Sequence, residues 1–300
     1  MELGLVGLGM MGLNIRGRLR ERGIAAIGYD PHVVDRDVGS LVALVESLSA
    51  PRAVWVMVPA GAQTRQVIGK LSRLLSPGDI VIDGGNSRFT DDTVNAHILA
   101  EHGISYLDCG VSGGVWGRQN GYALMAGGDP TDIVRLLPVF DALRADGDRA
   151  DSFVHVGPVG AGHYAKMVHN GIESGLMQAF AEGYELLAAE ASVMDVPAVL
   201  RAWSKGAMVR SWVLDLLVQA LSGNPEMVSP VGPAGDSGEG RWTLEAAIAH
   251  SVPAPVISAA LFAQFASRQD DSPAMKVVSA VRSQFGEHAI RRCAEPVGIG

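Results

Sequence analysis

Short apolar runs separated by polar punctuation fill the first half of the chain, and apolar residues recur at helical spacing through the second. Residues 3 to 6 form an apolar run that enters Gly7-Leu8-Gly9-Met10-Met11-Gly12, and Asn14 to Arg22 then reads as a helix ending near Gly23. Further strand patterns at Ala25–Tyr29, Ala53–Val58, Asp79–Asp83 and Ser105–Cys109 alternate with helical stretches at Thr64–Leu75 and Asp91–Glu101. Such alternation builds a parallel sheet with helices on both faces. A hairpin-like pair, Gly121–Gly127 and Phe153–Val156, closes this half. Beyond Gly157-Pro158-Val159-Gly160-Ala161-Gly162 the pattern changes to long helices, at about 162–191, 196–206, 209–221, 243–251, 254–268 and 273–286. The reading is an α/β domain over residues 1–160 followed by an all-α domain over 161–300, with Ser222–Gly240 as the longest irregular piece.

The glycine pattern acquires meaning from the strand before it and the helix after it. Gly7 would permit a tight turn, Gly9 the close approach of a pyrophosphate, and Gly12 close packing of helix on strand, while the amino terminus of the helix that follows faces the phosphates, with Met10 and Met11 of the turn beside the cofactor. That makes the first domain a Rossmann-type dinucleotide-binding fold. Asp30 ends the second strand, where a carboxylate can accept hydrogen bonds from the adenine-ribose hydroxyls and repel a 2'-phosphate, which favours NAD over NADP. Asp30 could instead do no more than open the Asp30-Pro31 turn, and Arg36 lies close in sequence. In such sheets ligands bind beyond the carboxyl ends of the strands. The loops there are Val58-Pro59-Ala60-Gly61, Asp83-Gly84-Gly85-Asn86-Ser87 and Gly110-Val111-Ser112-Gly113-Gly114.

The second domain opens with a polar stripe in an apolar helix. With about 3.6 residues per turn, Lys166, His169, Asn170 and Glu173 share one face, leaving Met167, Val168 and Ile172 to pack. A base, an imidazole, an amide and an acid on one stripe form a candidate catalytic group.

Composition narrows the alternatives. The chain has 300 residues, 48% hydrophobic and 19% charged, and a formal net charge of -8. That balance argues against a nucleic-acid or anionic-membrane surface, since both are held mainly by Lys and Arg. No apolar run is long enough to span a bilayer. Cys109 and Cys293 make neither a disulfide framework nor a metal-ligand spacing. No signal peptide is visible at Met1-Glu2-Leu3, so a cytoplasmic location is expected. Cys109 reads as a small buried residue, and Met167, Met177 and Met208 as core filling.

Together, Gly-Leu-Gly-Met-Met-Gly, Asp83-Gly84-Gly85-Asn86-Ser87, Val111-Ser112-Gly113-Gly114 and Lys166 to Glu173 resemble decarboxylating 6-phosphogluconate dehydrogenase. The likeness covers essentially the whole chain, and the length matches the short branch of that family, within the β-hydroxyacid dehydrogenases. The resemblance implies NAD-dependent oxidation at C3 of a sugar acid, loss of its carboxylate as CO2 and release of a ketose phosphate, without a metal. Lys166 would be the base at the C3 hydroxyl and Glu173 the acid at C1 of the enediol. Asn86, Ser112, Gly113, Gly114, His169 and Asn170 would bind the carboxylate and hydroxyls, with Val58, Pro59 and Asn86 also near the cofactor. Arg282 and His288 match a tail motif that reaches the partner's phosphate site in a homodimer.

The chain departs from the family pattern at the substrate's far end. Ser174 stands where the family usually has a phosphate-touching Tyr, and Gln264 where it has an Arg. Either these positions vary within a working 6-phosphogluconate site, or the substrate is a related sugar acid, differently phosphorylated or not phosphorylated. A β-hydroxyacid dehydrogenase that does not decarboxylate is the alternative activity. It needs Lys166 but not Glu173.

Overall fold

The computed structural model describes residues 1–224, 235 and 237–284. It has two compact units, one of Met1–Ser174 with Gly238–Ala254 and one of Gly175–Ser237 with Pro255–Gly300. The first unit runs β1 (Glu2–Val6), α1 (Met10–Glu21), β2 (Ala25–Tyr29), α2 (Leu41–Glu46), β3 (Ala53–Val56), α3 (Ala62–Leu74), β4 (Ile80–Asp83), α4 (Phe89–Ala100), β5 (Ser105–Ser112), the short α5 (Gly117–Asn120), β6 (Ala123–Gly127), α6 (Pro130–Leu143) and β7 (Phe153–Gly157). These strands make one seven-stranded sheet in the order β2-β1-β3-β4-β5-β6-β7.

The central strands β1, β3, β4 and β5 are buried on both faces, which is why they read as nearly continuous apolar runs. Successive side chains point to opposite faces. Thus Leu3, Leu5, Trp55, Ile80 and Ile82 join a core with Ile15 and Leu19 of α1 and Leu136 and Phe140 of α6. Val54, Val56 and Val81 join the opposite core with Ile68 and Leu71 of α3 and Leu99 of α4. Each such aliphatic side chain contributes about 1.5–3 kcal/mol by leaving water.

Two expectations about this half are corrected. β6 runs antiparallel to β5, so the sheet is mixed rather than all parallel. β6 and β7 are parallel neighbours joined through α6, not a hairpin. The signals for α6 are present: Asp129 accepts a capping bond from Thr131 N at 2.7 Å, Pro130 follows at the first turn, and Ile133, Leu136, Val139, Phe140 and Leu143 form its buried stripe.

α7 (Ala161–Ala189) begins in the first unit and continues into the second, which also holds α8 (Val196–Gly206) and α9 (Trp212–Gly223). Next in sequence, α10 (Glu239–Ala249) belongs to the first unit, and α11 (Pro255–Ala266) and α12 (Pro273–Gln284) to the second. The second unit's core is small, with Leu200, Leu214 and Leu221 buried among Phe180, Tyr184, Leu187 and Trp203. Met167 is buried as expected, but Met177 and Met208 are exposed, at 46% and 104%, and do not fill a core. No helix among the described residues is long and apolar enough to cross a membrane.

Candidate active site

The glycine turn after β1 has the geometry that a dinucleotide requires. Gly7 has φ +98°, and a Cβ there would lie 2.3 Å from the Met57 carbonyl oxygen. Only glycine tolerates both conditions. A Cβ on Gly12 would meet the Gly7 carbonyl at 2.0 Å, so α1 sits directly on the turn, whereas one on Gly9 would meet nothing within 4 Å. No side chain caps the start of α1 at Gly9, which leaves its first amides suited to an anion. Met10 is exposed and Met11 half-buried at this end. These residues fit a pyrophosphate.

Asp30 serves the turn and remains able to bind a ribose. Its Oδ2 accepts from Leu8 N at 2.9 Å and its Oδ1 from His32 N at 2.8 Å. Each oxygen keeps a further lone pair. Arg36 donates to the Pro31 carbonyl at 3.2 Å. Val58 is half-buried and Pro59 exposed, and the Pro59 carbonyl accepts from Thr64 Oγ1 at 3.0 Å.

The polar stripe of α7 is helical, and its residues interact with each other. Lys166 Nζ lies 3.3 Å from His169 Nδ1, which lies 3.2 Å from Asn170 Oδ1. His169 Nε2 is 3.1 Å from Ser112 Oγ, at the end of β5. Asn170 Nδ2 donates to Asn86 Oδ1 at 3.4 Å, and the Glu173 carboxylate is 3.7 Å from His169 Nδ1. Lys166, His169, Asn170, Glu173, Ser112 and Gly113 are half-buried, while Asn86 and Gly114 are exposed. Burial pushes the Lys166 ammonium below the usual lysine range, while the charges of Glu173 and Glu239 pull it back up.

Close approach at Gly110 sets the position of Lys166. A Cβ at Gly110 would lie 2.5 Å from Lys166 Cβ and 3.0 Å from the Gly162 carbonyl, so α7 packs against a bare stretch of β5. Asp108 on the same strand receives Gly160 N at 2.6 Å and His163 N at 2.8 Å, capping the start of α7.

Beneath this cap lies a buried network. His163 Nδ1 is 2.9 Å from both oxygens of Asp92 on α4, Asp92 accepts from the Tyr106 hydroxyl at 2.8 Å, and Asp83 accepts from Ser87 Oγ at 2.7 Å and Gly85 N at 3.0 Å. Burial favours neutral imidazole, but the hydrogen bond and charge of Asp92, with Asp83 and Asp108, outweigh it and raise His163 to about 9. Asp83, Asp92 and His163 offer ligand atoms within 4.8 Å of one another, yet the 2.9 Å spacing of His163 and Asp92 is that of an ion pair. Cys109 is fully buried, and burial raises its thiol well above the usual range.

One residue of the cluster, Glu239, is not among the sequence candidates. It opens α10, is 7% exposed, and accepts a hydrogen bond from Asn86 Nδ2. In sequence it resembles any acid in the first turn of a helix, where it complements the dipole. Arg282 lies exposed on α12 of the second unit, and His288 falls outside the described residues.

A seven-stranded, mostly parallel sheet whose glycine turn suits a pyrophosphate, with a lysine-bearing helix packed on β5, is the arrangement of a dinucleotide-dependent oxidoreductase. Residues 2–157 match the NAD binding domain of 6-phosphogluconate dehydrogenase, and residues 162–289 match the 6-phosphogluconate dehydrogenase C-terminal domain. The chain belongs to the 6-phosphogluconate dehydrogenase family. It is 37% identical to the NAD(+)-dependent, decarboxylating 6-phosphogluconate dehydrogenase of Haloferax volcanii, over 97% of this chain and 99% of that protein. Among solved structures it resembles the Plasmodium falciparum 6-phosphogluconate dehydrogenase, with TM-score 0.78 and 26% identity, covering 100% of this chain and 67% of the other. The Mycobacterium tuberculosis 3-hydroxyisobutyrate dehydrogenase shares the fold, with TM-score 0.70 and 23% identity, over 94% of this chain and 99% of that one.

Proposed function

We propose that the protein oxidises 6-phosphogluconate, or a closely related sugar acid, with NAD and releases CO2 and a ketose phosphate. The observation that carries this reading is the Lys166 environment: an amine with a pKa lowered by burial, on one helical face with His169, Asn170 and Glu173. Lys166 takes the proton of the C3 hydroxyl. A nicotinamide dinucleotide held at the Gly7–Gly12 turn would supply the hydride acceptor for C3. The resulting β-keto acid loses its carboxylate as CO2, and the electrons of the broken C–C bond move toward the new carbonyl, where protonated Lys166 stabilises the developing enolate. Glu173 then protonates C1 of the enediol, a task that a non-decarboxylating enzyme lacks.

Asn86, Ser112, Gly113, Gly114, His169 and Asn170 bind the carboxylate and hydroxyls, and the tail motif of Arg282 and His288 serves the phosphate site of the partner in the homodimer. Gly7, Gly9, Met10, Met11, Gly12, Asp30, Val58, Pro59 and Asn86 hold the cofactor, and the Asp30 carboxylate selects NAD. In this reading residues 1–160 bind NAD, and residues 161–300 bind substrate and form a homodimer. Exposed apolar side chains such as Met208, Trp212, Phe262 and Met275 support the homodimer. A cytoplasmic location is part of the same proposal.

The test is a panel of aldonic acids, each with and without a terminal phosphate, assayed with NAD and NADP for reduced cofactor and CO2. We expect matched NADH and CO2 with 6-phosphogluconate and a higher kcat/KM with NAD. NADH without CO2 would replace decarboxylation by simple hydroxyacid oxidation, and better kcat/KM with NADP would overturn the role of Asp30.

A further inference from the structure

Glu239 is placed by α10, and three contacts hold that helix in place. Thr243, one turn along, donates its hydroxyl to the Met167 carbonyl at 3.0 Å, directly beside Lys166. A Cβ on Gly171 would lie 2.8 Å from Thr243 Cγ2, so α10 and α7 touch closely on the turn that follows. Arg88, at the end of the Asn86 loop, pairs with Glu245 at 2.5 Å. α10 therefore bridges the two parts of the site, and its first residue is delivered to where they meet. A carboxylate that is 7% exposed needs a reason to be there. The Asn86 amide supplies one, since its Nδ2 donates to Glu239 while its Oδ1 accepts from Asn170.

We propose that Glu239 is a positioning residue of this active site, orienting the Asn86 amide toward Asn170. The proposal rests on the reading of Lys166 as the base. Charged and titratable groups bear on Lys166 from two helices, His169 and Glu173 on α7 and Glu239 on α10; on β5, which packs against Lys166 through Gly110, the Asp108 carboxylate is engaged by Gly160 N and His163 N. Asn86 and Ser112 add only neutral groups. Without Glu239 the ammonium loses one of two stabilising carboxylates and gives up its proton at lower pH. Without any acceptor at 239, the Asn86 amide is also free to turn away from Asn170.

The two effects separate in two variants of the full-length protein. Glu239→Gln keeps an acceptor and removes the charge, so the acid limb of the kcat/KM profile should move down by about half to one pH unit, with KM changed little. Glu239→Ala should move the limb similarly and also raise KM by about tenfold, which corresponds to an oriented hydrogen bond lost. A readout independent of turnover is the pH dependence of Lys166 modification by trinitrobenzenesulfonate, followed by peptide mass spectrometry. Its midpoint should fall in both variants by the same amount as the limb. If both variants melt like the parent and neither the labelling midpoint nor KM moves, the proposal is overturned. If the parent turns over no sugar acid, the functional reading fails, and the labelling midpoint alone decides the role of Glu239.

Discussion

α7 carries the histidines of two histidine–carboxylate pairs, less than two turns apart, and the pairs differ in nearly every physical respect. His163 and Asp92 are 1% and 0% exposed and meet at 2.9 Å, whereas His169 and Glu173 are 42% and 45% exposed and stand 3.7 Å apart. In the dry pair the charges are bound together because separating them would strand each in a medium that solvates it poorly. In the wet pair water screens the attraction, and each side chain can approach or leave a reacting atom. One helix thus uses the same chemistry twice, first to fix its own start and then to present movable groups at the site.

The largest expected effect comes from breaking the dry pair. His163→Ala leaves Asp92 buried without its cation and should cost about 3–5 kcal/mol in denaturant unfolding. Loss below about 1 kcal/mol would place this pair in the same category as the exposed one. Next is catalysis at the wet pair, where Glu173→Gln should lower kcat for CO2 release at least about 100-fold, the low end for a general acid. The sign of the pH dependence sharpens the contrast. His163 has a folded pKa raised above its unfolded value of about 6.5, so its stabilisation is complete below that pH. It is then lost as pH rises through about 9. Unfolding free energy measured from pH 6 to pH 10 should fall across that window, and His163→Asn should flatten the fall. The smallest effect is the stability of Glu173→Gln, expected within about 1 kcal/mol of the parent because the pair is screened. A larger loss would show the wet pair to be structural.

Much of this was legible in the residues alone. The turn at Gly7 to Gly12 and Asp30 at the end of β2 follow from local backbone rules, and helical periodicity alone puts Lys166, His169, Asn170 and Glu173 on one face. Other parts were hidden because they depend on distant partners. α6 was missed although Asp129 and Pro130 announce it, since the flanking strands resembled a hairpin. Met208 looks like core material but is exposed, and hydrophobicity does not reveal which side of a helix has a neighbour. Asp92 reads as a solvated acid near the start of a helix, and only its distance from His163 makes it half of an ion pair.

The sequence by itself determined the dinucleotide turn, the mostly parallel sheet and the order of side chains on the α7 stripe, because turns, strand alternation and helical spacing are set by residues a few positions apart. Tertiary structure alone decided which further acids join Asp30 and Glu173. Glu239 reaches Asn86 across 153 positions and His163 reaches Asp92 across 71. Burial then fixed what each carboxylate can do, since the same group is a screened surface charge in water and a strongly coupled partner when buried.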